Sequence, residues 1–274
     1  MKQLRAIRIL LAVLFFIASA ACLMIGPQVH PMARAAARTQ VALSAASATA
    51  GAALVWLLLT FLLGRVYCST ACPIGTFSDI FLRLRRAVPR LNRPFRYRHP
   101  SHWGIHILWI YLLCLIAGVA AVPFIIEPWN IARNMASAVN PEATAHTWAT
   151  ISLGAGAGML AGVLSGLIIA ALSVWRGREF CTRICPVGTA LGIVQEHSLM
   201  HIEIDPDKCI SCGRCEERCR AQCVKVVSRY VDASRCVMCF DCVADCPTGA
   251  IRYQRNRNRP ATPLVRRVKN SSKT

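Results

Sequence analysis

A chain of 274 residues with 55% hydrophobic and only 16% charged residues carries too little charge for an ordinary soluble domain, where about a quarter of residues are charged. Its formal net charge of +19 suggests nucleic acid as a partner, but the placement of the charge argues against that. The basic residues fall between long uncharged runs: no Asp, Glu, Lys or Arg occurs in 9–33, 39–64, 103–126 or 143–175.

Each run holds an apolar stretch long enough to cross a bilayer. In chain order they predict four transmembrane helices, near 9–26, 41–63, 104–125 and 152–174. Lys2, Arg5 and Arg8 precede the first. Arg65, Arg83, Arg85, Arg86, Arg90, Arg93, Arg96 and Arg98 lie between the second and third, and the longest basic stretch follows the fourth. The other two connections carry only Arg34, Arg38 and Arg133. The positive-inside rule then puts both termini in the cytoplasm. The N-terminus shares a basic start, an apolar core and the small residues Ser19-Ala20-Ala21-Cys22 with cleaved leaders. Its apolar stretch runs on through Met24-Ile25-Gly26, which favours a retained helix. Trp103, Trp109, Trp129, Trp148 and Trp175 fall at or near helix ends, as interfacial anchors do.

The membrane part is a duplication. Tyr67-Cys68-Ser69-Thr70-Ala71-Cys72-Pro73-Ile74-Gly75-Thr76 recurs as Phe180-Cys181-Thr182-Arg183-Ile184-Cys185-Pro186-Val187-Gly188-Thr189. Each copy (68–73 and 181–186) follows the second helix of a pair, so the copies share one orientation, like parallel repeats. Each reads as a helix start, with proline at the first helical position and cysteines near the positive end of the helix dipole. Three roles stay open for Cys68, Cys72, Cys181 and Cys185: shared ligands of a metal or further cluster, redox-active dithiols, or packing. After the first copy, Ile74, Phe77, Ile80, Phe81 and Leu84 with Arg83, Arg85 and Arg86 predict a short basic helix in the membrane interface.

The C-terminal part fixes the chemistry. Cys209, Cys212, Cys215 and Cys219, then Cys236, Cys239, Cys242 and Cys246, both read C-x2-C-x2-C-x3-C, offset by 27 residues (209 to 236). This is the bacterial ferredoxin pattern, in which three close cysteines serve one [4Fe–4S] cluster and the fourth crosses to the other. One cluster then takes Cys209, Cys212, Cys215 and Cys246, and the other Cys236, Cys239, Cys242 and Cys219. Structural zinc also uses C-x2-C pairs, but it has no use for a third cysteine at the next step. Only the second run ends Cys246-Pro247; in the first, Arg220 follows Cys219, and Cys223 aligns with Ala250 as a buried small residue. Cys22 and Cys114 read as packing residues within membrane helices. Around the loops, 201–204, 224–231 and 250–253 predict strands.

The expected architecture is a membrane all-α domain over 1–198, with four transmembrane helices in two duplicated pairs. An α+β two-[4Fe–4S] ferredoxin-like domain over 199–254 and a basic tail over 255–274 follow it. Together these features resemble the membrane ferredoxins of the NapH, NosR and CcoG group, over almost the whole chain. The layout is most similar to the NapH type, the quinol dehydrogenase components of periplasmic nitrate reduction. NosR-type chains add a periplasmic flavin-binding domain, and CcoG-type chains, which serve oxidase copper assembly, add a further C-terminal domain. The resemblance implies a bacterial inner membrane, membrane quinol as electron source and partner redox proteins as acceptors. It carries ligand roles onto the eight ferredoxin cysteines and a shared role onto the C-x3-C-P cysteines. The missing proline after Cys219 departs from the pattern.

His102 and His106 stand at the start of the third helix and are candidates for binding a quinol headgroup or taking its proton. Haem is not expected, because His30 and His146 sit near the opposite face from that pair. The reading is an electron carrier rather than a stand-alone catalyst. A cofactor-assembly or metal-reducing protein and an iron–sulfur redox sensor are the alternatives.

Overall fold

The computed structural model describes residues 2–25, 31, 35, 39–40, 46–91, 93–119, 121–140 and 155–255. The tail from 256 onward, His30, Arg34, Arg38 and His146 lie outside the described residues. Three long helices, α1 (Lys2–Ile25), α2 (Ala46–Leu63) and α7 (Ala155–Arg176), and the shorter α4 (Trp103–Ile116) are the apolar ones. Among the described residues, two stretches, Gln3–Ile25 and Met159–Arg176, are long and apolar enough to cross a membrane, with mean hydropathy of 2.5 and 1.8, and only 17% of each is buried. Leu10, Leu14 and Ile17 on α1, Leu54 and Leu58 on α2, Ile110 and Leu113 on α4, and Leu164 and Leu167 on α7 all point outward. An apolar surface of this extent marks a face for a membrane or for another protein.

The third expected span does not form as one helix over 104–125. Gly118, at φ +71°, ends α4 in a left-handed turn, closed by the Val119 N–H donating to the Cys114 carbonyl at 2.8 Å. Glycine takes that conformation at no steric cost. The chain then makes α5 (Ala121–Ile126), turns at Glu127, and starts α6 (Pro128–Ser137) with proline in its first turn. The α6 helix packs along α7 so closely that Gly162 has no room for a Cβ beside the Asn134 carbonyl. Asn140, just beyond α6, donates to the Met24 carbonyl at the end of α1 at 3.0 Å. The α5–α6 pair is thus a hairpin folded into the bundle, with Glu127 at its tip.

Each C-x3-C turn has the same closing hydrogen bond. The Cys72 N–H donates to the Tyr67 carbonyl at 3.0 Å and the Cys185 N–H to the Phe180 carbonyl at 2.9 Å, a five-residue step. That widened turn is π-helical over Phe180–Ile184. Helices α3 (Pro73–Ala87) and α8 (Pro186–Glu196) then begin with proline, as the sequence requires. On α3 the apolar residues Ile80 and Leu84 and the basic Arg83 are exposed, while Ser78, Asp79, Leu82 and Arg85 face inward.

The C-terminal domain is small. Strand β1 (Met200–Ile204) pairs antiparallel with β4 (Ile251–Arg255), and β2 (Val224–Lys225) with β3 (Tyr230–Val231). The single-turn helices α9 (Arg214–Arg218) and α10 (Asp241–Ala244) lie within the cysteine runs. The domain is bolted to the helices through Asp79. This carboxylate meets Arg8 at 2.8 Å, Arg178 at 2.7 Å and Arg220 at 2.8 Å. Arg220 also pairs with Asp241 at 2.6 Å, and Arg5 with Asp241 at 3.2 Å. Burial opposes ionisation of Asp79, but the guanidinium groups of Arg178, Arg220 and Arg8 outweigh it and hold the carboxyl below its ordinary range.

Truncating one partner of a buried ion network leaves an uncompensated charge, at a cost of about 3–5 kcal/mol. Arg220→Ala is therefore expected to lower the thermal unfolding midpoint in detergent and to raise amide hydrogen exchange in 236–242. Unchanged exchange in that loop would show that the network does not hold the domain in place.

Candidate functional site

The two cysteine runs build two cavities. Cys209, Cys212, Cys215 and Cys246 line one. Cys219, Cys236, Cys239 and Cys242 line the other, together with Cys223. Apolar walls complete both: Ile204, Val226 and Ile251 in the first, and Ile202, Val224 and Val237 in the second. The loops share an unusual backbone. Ser211 and Met238 have φ of 54° and 48°, and Gly213 and Phe240 have 79° and 58°. Three of these four are not glycine, so each run holds strained left-handed residues at matching positions. Such turns aim successive N–H groups into one concavity and favour bound anions, iron–sulfur clusters with their thiolates among them. Burial pushes the Cys215 thiol up to about 11 and the Cys239 thiol up to about 12. Thiolates in these positions need a bound cation or cluster to balance them, and the donor set fits [4Fe–4S] ligation.

Cys223 is more than a buried small residue. Its sulfur lies 3.4 Å from that of Cys219, and this hydrogen bond pulls the Cys219 thiol below its ordinary range.

The C-x3-C-P cysteines form a second layer. Cys68, Cys72, Cys181 and Cys185 are all buried in one core. Two arginines cross between the repeats to hold them. Arg65 donates from its Nε to the Cys68 sulfur at 3.1 Å and from its terminal nitrogens to the Cys181 carbonyl and to the Ser234 carbonyl. Arg178 donates to the Cys68 carbonyl at 2.6 Å and to the Gly75 carbonyl at 3.1 Å. A side chain at Gly75 or Gly188 would collide with the Cys68 or Cys181 carbonyl, so glycine is required at both. The Gly188 N–H donates to the Cys185 sulfur at 3.3 Å, as expected at a helix start.

This layer touches the ferredoxin domain on its second-cavity side. The Ser69 hydroxyl donates to the Met238 carbonyl at 3.4 Å, and Met238 packs on Gly64. The first cavity looks the other way: Cys212 is exposed, and Cys209 and Cys246 are half-buried. His102, just before α4, and His106, on its first turn, are both exposed, and neither joins the buried cysteine core.

A family model described as "4Fe-4S binding domain" matches this chain twice, over 48–91 and 158–203, once in each repeat. Another of the same description matches 202–225. The methylamine utilization ferredoxin-type protein MauN of Paracoccus denitrificans is 30% identical over 72% of this chain and 63% of its own length. The ferredoxin-type protein NapH of Escherichia coli is 26% identical over 74% of this chain and 67% of its own. The putative electron transport protein YccM of the same organism is 27% identical over 71% of this chain, which spans only 52% of it. No solved structure matches.

The chain is similar to NapH-like 4Fe–4S ferredoxins. It binds 4Fe–4S clusters and serves iron–sulfur electron transfer. The fold brings together residues that lie outside the cysteine motifs. The repeat extends upstream as Gly64-Arg65 and Gly177-Arg178, and those arginines are the crossed pair. Arg220, standing where the second run has Pro247, carries the bridge to Asp79 and Asp241. Its carbonyl also accepts from the Arg178 N–H at 2.9 Å. Composition held one further signal: before residue 142 the chain has only two carboxylates, Asp79 and Glu127, and both are buried.

Cys223→Ala is expected to keep both [4Fe–4S] signals in electron paramagnetic resonance of the reduced protein, whereas Cys219→Ala loses one. Loss of a signal in Cys223→Ala with Cys219→Ala intact would exchange their roles.

Proposed function

We propose that this protein is a multi-pass component of a bacterial inner membrane that oxidises quinol and relays electrons to a partner redox protein in the cytoplasm. In this reading α1, α2, α7 and α4 with the hairpin behind it build the bilayer part, with both termini and the ferredoxin domain cytoplasmic. Cys209, Cys212, Cys215 and Cys246 hold one [4Fe–4S] cluster, and Cys236, Cys239, Cys242 and Cys219 hold the other. Cys68, Cys72, Cys181 and Cys185 jointly ligate a further metal or cluster, because four buried sulfurs from two crossed repeats suit a shared site. The bound clusters supply single-electron carriers.

One observation carries the proposal: the three cysteine layers stand in series. The C-x3-C-P layer lies among the apolar helices, the second cavity sits against it through Ser69 and Met238, and the first cavity opens outward at Cys212. Such an order suits electrons entering at the membrane and leaving at the exposed end. Arg8, Arg178 and Arg220, buried beside the second cavity, place positive charge near Cys239 and favour the reduced, more anionic state there. The relatives named for ferredoxin-type and electron transport roles agree with a carrier.

Electron paramagnetic resonance on anaerobically purified protein, before and after addition of a reduced quinone analogue, tests this. Cluster signals that grow with quinol are the expected result. Clusters that respond to dithionite alone would reject quinol as the electron donor and favour the assembly or sensor readings.

A further inference from the structure

Glu127 is a carboxylate with 0% exposure at the tip of the α5–α6 hairpin. The Tyr111 hydroxyl, also with 0% exposure, donates to its Oε1 at 3.2 Å, and the Asn130 amide donates to its Oε2 at 2.7 Å. Tyr111 stands on α4, whose first turn packs on the second cysteine repeat: Gly104 lies against Thr189 and the Arg183 carbonyl. Seven residues further along, at about 1.5 Å of rise each, Tyr111 is roughly 10 Å into the apolar helix layer. The hairpin brings Glu127 to the same depth from the other direction. On α6, Ala138 and Met135 pack at Gly162 and Gly166 of α7, and Ile131 joins the core that contains all four C-x3-C-P cysteines. The α6 helix therefore points its first turn, and Glu127, toward that layer. Tyr111 also lies within electrostatic range of Cys185.

An ionisable side chain inside a membrane-spanning layer is costly, and it persists where it moves ions or protons or binds substrate. A purely structural cap at α6 would be served by Ser, Thr, Asn or Asp without a long buried carboxylate. We propose that Glu127 accepts the proton released when a membrane hydroquinone is oxidised at the C-x3-C-P cysteine layer, with Tyr111 as the relay. This rests on the quinol reading above and names the residue that performs its proton step, in place of His102 and His106.

The balance is simple. A hydroquinone loses two electrons and two protons on becoming a quinone; the electrons leave one at a time to the iron–sulfur carriers, which are the oxidant. The phenolic oxygen of Tyr111 donates to Glu127 and keeps a lone pair free to accept. A hydroquinone hydroxyl that reaches Tyr111, which is buried at rest, passes its proton to that oxygen as the tyrosine proton moves to the carboxylate. Glu127 then releases the proton toward water before the second passes the same way.

The test uses the full-length, cluster-loaded protein in lipid nanodiscs. Glu127→Gln is nearly isosteric and keeps an acceptor for Tyr111. It is expected to slow cluster reduction by a reduced quinone analogue at least tenfold, as loss of a positioned proton acceptor does, and to leave reduction by dithionite unchanged. Glu127→Asp is expected to recover part of the rate. Equal quinol-driven rates and equal solvent deuterium isotope effects in wild type and Glu127→Gln would overturn the assignment while leaving quinol oxidation standing. A wild type that quinol does not reduce at all would overturn the quinol reading and this proposal with it. A Glu127→Gln protein whose clusters also fail to reduce with dithionite would show a structural role for Glu127 and equally reject the proposal.

Discussion

Asp79 is the constraint on which the rest of this structure depends. A single buried carboxylate collects a guanidinium from α1, one from the second repeat and one from the first cysteine run of the ferredoxin domain. Three parts of the chain that are far apart in sequence are therefore fixed at one point. Buried ion pairs add little net stability compared with apolar packing, but they penalise every arrangement that leaves a charge unpaired. Here that penalty specifies one docking geometry, in which the second cysteine run faces the helices and the first faces away.

The crossed arginines extend the same logic. Arg178 binds Asp79 with one edge of its guanidinium and the Cys68 and Gly75 carbonyls with the rest. Docking of the ferredoxin domain and the shape of the C-x3-C layer are thus set by one side chain. Arg65, its counterpart in the first repeat, reaches the Cys181 carbonyl and the Ser234 carbonyl beside the second cysteine run. Duplication produced two equivalent turns, and each repeat supplies the clamp that closes the other.

Much of this was legible in the residues. Cysteine spacing grouped the eight ferredoxin cysteines as the cavities group them, and the proline after each C-x3-C announced the starts of α3 and α8. The hairpin at Glu127 was not legible, because 104–125 is uniformly apolar and hydropathy does not register the left-handed turn at Gly118 or the fold-back that follows. Of the stripe expected on α3, Ile80, Arg83 and Leu84 are exposed, but Ile74 and Arg85 are buried, and the inner face holds Asp79, whose partners lie far away in sequence. Arg220 looked like a flaw in a motif. Its value emerges only when the docked domain brings it against Asp79 and Asp241, and pairings between distant segments leave no local period to detect.

Both the series order of the cysteine layers and the role of Asp79 meet in the shielding of the second cavity. The most direct test is iron release from the anaerobic, cluster-loaded protein to a water-soluble chelator, followed over time in wild type and in Asp79→Asn. Two phases are expected in wild type, a fast one from the exposed cluster of Cys212 and a slow one from the docked cluster of Cys239, with the slow phase accelerated in Asp79→Asn. A single phase in wild type, or a slow phase indifferent to Asp79, would contradict it.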